Sequence, residues 1–242
     1  MQMGKQSAII SGAQGWTFCR VVNLLALLAA LLCCDSARAE IGPLVERASM
    51  PEVMFGAPAE YDSLLARIAE GGESSAIELL EYADTPWAWR FEVVRRSLEL
   101  IGDPARKAIL QKLADGDLAE AKMVINLVLL EKLGQAGDEA ALAIHLKSGS
   151  EGRKITTLRC LAAFGEPESS LELALPVLNA DDQRIRLAAV WTVGELCRKA
   201  GPGKREAGQL GKTVRPLLDD PILQIRLTAA ECMQTLGLSH AP

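Results

Sequence analysis

From Glu40 onward apolar residues recur at spacings of three and four, and no stretch alternates apolar with polar in the manner of a strand. Leu, Ala and Glu dominate these stretches, which favours helix throughout. The pattern predicts helices in pairs. Second helices are expected at about 60–70, 86–101, 117–133, 151–164, 182–199 and 221–236. First helices are expected at about 44–54, 74–83, 104–115, 138–147, 168–178 and 207–218. Thr85-Pro86, Asp103-Pro104 and Asp220-Pro221 each place a capping side chain before a proline, predicting helix starts with proline in the first position. Gly71, Gly102, Gly134, Gly165, Gly194 and Gly237 follow apolar helical stretches and predict left-handed C-terminal caps. Their steps of 31, 32, 31, 29 and 43 residues define a repeat near 30. Residues 123–130 (MVINLVLL) are apolar almost all round, as a helix sandwiched in mid-array must be, and the end pairs read as more polar caps.

The repeats resemble one another. Val94 to Gly102, Thr157 to Gly165 and Arg186 to Gly194 align on the glycine, with Ser97, Cys160 and Ala189 each five positions before it, where close helix approach calls for a small side chain. Leu178-Asn179-Ala180-Asp181-Asp182-Gln183-Arg184-Ile185-Arg186-Leu187-Ala188-Ala189 and Leu218-Asp219-Asp220-Pro221-Ile222-Leu223-Gln224-Ile225-Arg226-Leu227-Thr228-Ala229-Ala230 resemble the HEAT-repeat pattern of an acidic turn, a β-branched residue, an arginine and small residues. The match is specific over 176–237 and looser over 60–165. It implies an all-α fold, an α-solenoid of about five to six stacked helix pairs whose second helices line a concave surface. Ala200 to Gly208 (AGPGKREAG) lengthens the last step and reads as an exposed loop.

The segment before Glu40 has another character. Val21 to Cys34 is a 14-residue run broken only by Asn23, with Arg20 ahead of it and Ala37-Arg38-Ala39 behind. Fourteen helical residues span about 21 Å, short of a hydrocarbon core of roughly 30 Å. The pattern predicts a signal peptide over 1–39 cleaved after Ala39, with initiation at Met3 a possible variant, and a repeat domain over 40–242 in the periplasm. Leu32 before Cys33 does not fit a lipoprotein site, and no Arg-Arg pair precedes the apolar run.

Charge and chemistry narrow the function. Without Lys5, Arg20, Arg38 and Asp35 the mature chain carries 23 basic and 30 acidic groups, a net charge of −7, which disfavours nucleic acid. Three cysteines remain, Cys160, Cys197 and Cys232, all in apolar helical stretches; they read as small buried hydrophobes, with one long-range bridge plus a free thiol as the alternative. Only two histidines occur, His145 and His240, and no metal-binding spacing or phosphate loop is present, so neither a cofactor nor a metal is expected. Two enzyme groups share the repeat resemblance. Deoxyhypusine hydroxylases hold iron with His-Glu dipeptides, absent here, and phycobilin lyases work on cytosolic antennae.

The expected function is therefore a non-catalytic scaffold that binds another protein or peptide of the cell envelope. The alternative is an exported enzyme or lyase-like cofactor-handling factor on the same solenoid. Arg184, Trp191, Glu195 and Arg198 form one stripe of a second helix and are the first candidates for partner contact, with Trp and Arg favoured at binding hot spots. Trp87, Trp89 and Arg90 open another second helix and form a second candidate patch. Asp181, Asp182, Asp219 and Asp220 are expected to cap helices, and Arg186 and Arg226 to bridge to the acidic turn of a neighbouring repeat.

Overall fold

The computed structural model describes residues 40–115, 118–201 and 203–238. The apolar run Val21–Cys34, the cleavage site at Ala39 and His240 lie outside the described residues. Contacts divide the chain after Glu40, and the repeat unit begins at Ile41.

Thirteen α-helices follow among the described residues, with no strand. They are α1 (Ile41–Ala48), α2 (Pro51–Gly56), α3 (Pro58–Ala69), α4 (Glu73–Tyr82), α5 (Ala88–Ile101), α6 (Asp103–Asp115) and α7 (Glu120–Leu133). Then come α8 (Glu139–Ser148), α9 (Glu151–Phe164), α10 (Pro167–Ala174), α11 (Gln183–Ala200), α12 (Lys204–Val214) and α13 (Leu223–Thr235). The second helices of the six pairs are α3, α5, α7, α9, α11 and α13, and each packs on the next in the row. The first helices pack closely at α4–α6, more loosely from α6 to α10, and α10 and α12 stand apart.

Prolines account for three departures from the helix pattern. The expected first helix at 44–54 is broken, because Pro51 has no N–H to continue α1 and instead opens α2. Pro176 and Pro216 sit in 3₁₀ turns, Leu175–Asn179 and Arg215–Asp219, that finish α10 and α12. The AGPGKREAG segment is a shorter loop than expected, since α12 already begins at Lys204.

The capping expectations hold only in part. Asp182 accepts from the Arg184 and Ile185 N–H groups and is a true N-cap of α11. Thr85 and Asp220 instead accept from the residue two further on, Trp87 and Ile222, which puts Pro86 and Pro221 in the turn before the helix. Asp103 lies inside α6 and pairs with Arg106 at 2.6 Å and Lys107 at 2.8 Å. Asp181 contributes only a backbone carbonyl, and Asp219 ends its 3₁₀ turn exposed.

Among the period-marking glycines, Gly102 and Gly237 have positive φ, while Gly134 and Gly165 are extended and Gly194 is within α11. The requirement at Gly134 is proximity: an added Cβ would stand 2.2 Å from the Phe164 ring of the next repeat.

Polar bonds lock one repeat to the next. The Cys160 thiol donates to the Leu127 carbonyl at 3.2 Å, and the Thr192 hydroxyl donates to the Leu158 carbonyl at 3.1 Å. Arg106 meets Asp138 at 2.6 Å, Arg159 meets Glu131 at 2.9 Å, Arg153 meets Glu120 and Arg184 meets Glu151. Arg186 donates to the Ala180 and Asp181 carbonyls of its own turn and to the Asp220 carboxylate of the next repeat at 2.9 Å. Arg226, forty positions on, donates to the Asp220 and Pro221 carbonyls of its own turn, and no carboxylate of a further repeat faces it among the described residues.

The C-terminal pair is also not the polar cap its composition suggested. Leu223 and Leu227 on α13 are 59% and 55% exposed, whereas Leu187, the counterpart of Leu227, packs against the core.

Burial opposes ionisation of Asp220, but hydrogen bonds from Arg186 and the Ile222 N–H, with the charges of Arg186 and Arg226, outweigh it and hold the carboxyl below its ordinary value. A depressed folded value means that this group's stabilisation is present above the unfolded value near about 4 and is lost as pH falls through the folded one. In urea unfolding, Arg186→Ala should cost about 2–4 kcal/mol because Asp220 is left buried without its partner. Arg226→Ala should cost about 1 kcal/mol. Part of the Arg186 difference should vanish on acidification below about pH 4; equal costs at all pH values would contradict the assignment.

Candidate functional site

Helix α11 is where the repeat exposes its largest side chain. Ile185, Ala189, Thr192 and Leu196 lie on one face and are buried, anchoring the helix between α9 and α13. Trp191 falls on the opposite stripe and stays 44% exposed. Gly201, in the left-handed region at φ 54° and ψ 59°, closes the helix.

Around Trp191 the neighbouring second helices build an open groove of about 520 Å³. Its lining comes from α9 (Ile155, Arg159), α11 (Arg184, Leu187, Ala188, Trp191) and α13 (Gln224, Thr228). Both arginines are tethered at one end, Arg184 to Glu151 and Arg159 to Glu131, yet their side chains remain more than half exposed. The groove is thus apolar at its floor, with guanidinium groups on its rim held in place by the repeat before. Such a surface offers an extended segment apolar contact and two oriented hydrogen-bond donors.

Glu195 and Arg198 lie further along α11 and pair with each other. Neither lines the groove.

Trp87, Trp89 and Arg90 belong to α5 and the turn before it, three second helices away. Trp89 stacks edge-on against Phe55 at 5.2 Å, the Arg90 guanidinium lies over the Trp87 ring at 5.8 Å, and Arg90 pairs with Glu46 at 2.7 Å. Trp89 and Phe55 line a second groove of about 550 Å³ with Met54, Tyr61, Glu92 and Arg96. Trp87 is 63% exposed and does not wedge between repeats. The two candidate patches are therefore separate surfaces at different ends of the second-helix layer.

Sequence inspection missed the residues that other helices bring to Trp191. Ile155, Arg159, Gln224 and Thr228 are polar or unremarkable in their own segments, and only the register between repeats places them there. Phe55 was missed because α2 interrupts the first pair. On the outer layer, α10 and α12 leave a groove of about 640 Å³ bordered by Glu166, Glu168, Glu172 and Glu206 over Leu171, Leu175 and Leu210.

His145 is buried on α8, its Nε2 has no partner among the described residues, and burial followed by the Arg153 charge pushes its pKa down. Among the described residues no three His, Cys, Asp or Glu side chains converge to hold a metal ion, and no helix is long and apolar enough to cross a membrane.

The fold defines an α-solenoid of tandem helix pairs. No protein-family model and no curated protein matches the chain. Solved structures similar to it include a designed armadillo repeat protein in complex with the peptide (KR)4, at 16% identity and a TM-score of 0.48 over 82% of this chain and 100% of the other. A crystal structure of an engineered protein is similar at 16% identity and a TM-score of 0.47, over 82% of this chain and 97% of the other.

Trp191→Ala should cost about 1 kcal/mol or less in stability, as expected for a half-exposed side chain. Leu196→Ala, which opens a cavity between packed helices, should cost about 2–5 kcal/mol. Denaturant midpoints measure both, and a Trp191 cost matching that of Leu196 would mark the tryptophan as core.

Proposed function

We propose that this protein is an exported, non-catalytic scaffold of HEAT-like helix pairs that binds a segment of another cell-envelope protein along its second helices. The groove around Trp191 is the anchor. The observation that carries this reading is a large aromatic, half exposed and lining an open groove, on the stripe of α11 opposite its buried face. Exposed tryptophan flanked by arginine is costly to keep in water and is the combination most used at binding hot spots. The Phe55–Trp89 corner gives a long partner a second point of attachment on the same layer.

The apolar run Val21–Cys34 and Ala37-Arg38-Ala39 support export to the periplasm. The mature charge of −7 and scarce aromatics support a protein or peptide partner over nucleic acid. His145, buried among apolar helices, is poorly placed for acid–base work, which supports a binding role over an enzymatic one.

Affinity capture from envelope extract tests the reading, with the 40–242 chain as bait and a Trp191→Ala/Arg184→Ala variant beside it. One dominant protein should be retained by the wild type and lost with the variant while helicity is unchanged. Arg184→Ala alone controls for loss of the Glu151 pair. Retention that ignores Trp191, or a tightly held small molecule in place of a protein, would displace this reading.

A further inference from the structure

Cys160, Cys197 and Cys232 stand on three consecutive second helices, α9, α11 and α13, and all are buried. Their surroundings differ. The Cys160 thiol is committed to the Leu127 carbonyl of the preceding repeat, and burial pushes it up to about 12, so it is protonated at neutral pH. Counted from the N-caps Ser150 and Asp182, the counterpart of Cys160 is Thr192, not Ala189 as the glycine alignment suggested, and the Thr192 hydroxyl donates in the same way to the Leu158 carbonyl.

Cys232 is at the corresponding place once more, forty positions beyond Thr192 just as Arg226 is beyond Arg186. Cys197 is buried on α11 one turn beyond Gly194, and the two thiols shift each other's ionisation, Cys197 downward and Cys232 upward. Gly194, one turn before Cys197, lets α13 approach this closely: a Cβ there would lie 3.7 Å from the Cys232 Cβ and 3.9 Å from its Sγ.

We infer that Cys197 and Cys232 form a dithiol pair built to close into an inter-repeat disulfide, tying the last helix pair to the array and leaving Cys160 as the single thiol. A disulfide needs its two Cβ atoms about 3.5–4.5 Å apart, and the Cβ position at Gly194, one turn from Cys197, already lies 3.7 Å from the Cys232 Cβ across the α11–α13 contact. The odd number of cysteines in the mature chain is then accounted for, since the third has its own hydrogen bond.

The oxidant is a disulfide donor. One cysteine thiolate attacks it, forming a mixed disulfide and releasing one donor thiol; the second cysteine displaces the other, with its proton transferred to the departing sulfur. Two cysteine thiols lose two electrons and two protons, and the donor becomes two thiols. Entry is through the α12–α13 pair, which among the described residues packs on one neighbouring pair and can open without unfolding the rest.

The test uses the purified, reduced 40–242 chain with excess oxidised glutathione, followed by alkylation and peptide mapping. A Cys197–Cys232 link, an alkylated Cys160, and a higher melting temperature than the reduced protein are expected. Cys160→Ser should still close, and Cys232→Ser should not. Recovery of Cys197 and Cys232 as free thiols after the α12–α13 pair has been opened with sub-denaturing urea, or linkage through Cys160, overturns the inference. The periplasmic assignment, on which closure in the cell rests, is read separately from protein isolated from cells with thiols blocked. A chain starting at Glu40 with the pair open overturns the in-cell disulfide. A chain retaining residues 1–39, together with closure in glutathione, leaves the pair standing and removes the compartment.

Discussion

Second helices pack directly on one another, most closely from α7 to α13, with small residues buried along them, and the rest of the molecule follows from that contact. Ser97, Cys160, Ala189 and Ala229 are fully buried at it. Gly194 removes a side chain where α13 crosses α11. Backbones this near leave no water for a buried polar atom, so Cys160 and Thr192 each bond to a carbonyl of the preceding helix. Bulky leucines of these helices such as Leu127, Leu158 and Leu196 fill the core, while other large side chains are left at the solvent edge. Trp191 is on that edge, and so is Leu100. The packing constraint thus sorts side chains into a thin core and an exposed strip, and the strip is the surface available for recognition.

Charge pairing sets the register of this stack. Glu120 with Arg153 and Glu151 with Arg184 place an acid at the start of one second helix against a base near the start of the next. The acid complements the helix dipole while the pair aligns the turns. A consequence is that the arginines around Trp191 are held by the repeat behind them, so a ligand meets oriented donors whose side chains have already lost much of their freedom. Arg186 and Arg226 show the same logic interrupted. Both hold the turn ahead of their own helix, but among the described residues only Arg186 meets the acidic turn of a following repeat.

Much of this architecture was legible in the pattern of residues. The six second helices fall within a few positions of the stretches read from apolar periodicity, because a helix clamped on two sides must carry that pattern regardless of its partners. Local chemistry was less legible. Pro51, Pro176 and Pro216 changed helix type or continuity, and Gly134 proved to be a matter of contact with Phe164 where a cap was expected. The site was legible in its centre and illegible in its walls. Trp191 and Arg184 could be placed on one stripe from their spacing alone, whereas Ile155, Arg159, Gln224 and Thr228 join them only through the register between repeats. The same holds for Cys197 and Cys232, which no local spacing pairs.

If stacking of second helices is the source of stability, protection of the backbone should follow the number of neighbours each helix has. Amide hydrogen exchange of the 40–242 chain measures this directly. The slowest amides are expected in α9 and α11, each clamped between two second helices, with faster exchange in α1, α2 and α13 and in the outer helices α10 and α12. Uniform protection along the array, or slowest exchange in the outer layer, would contradict the account.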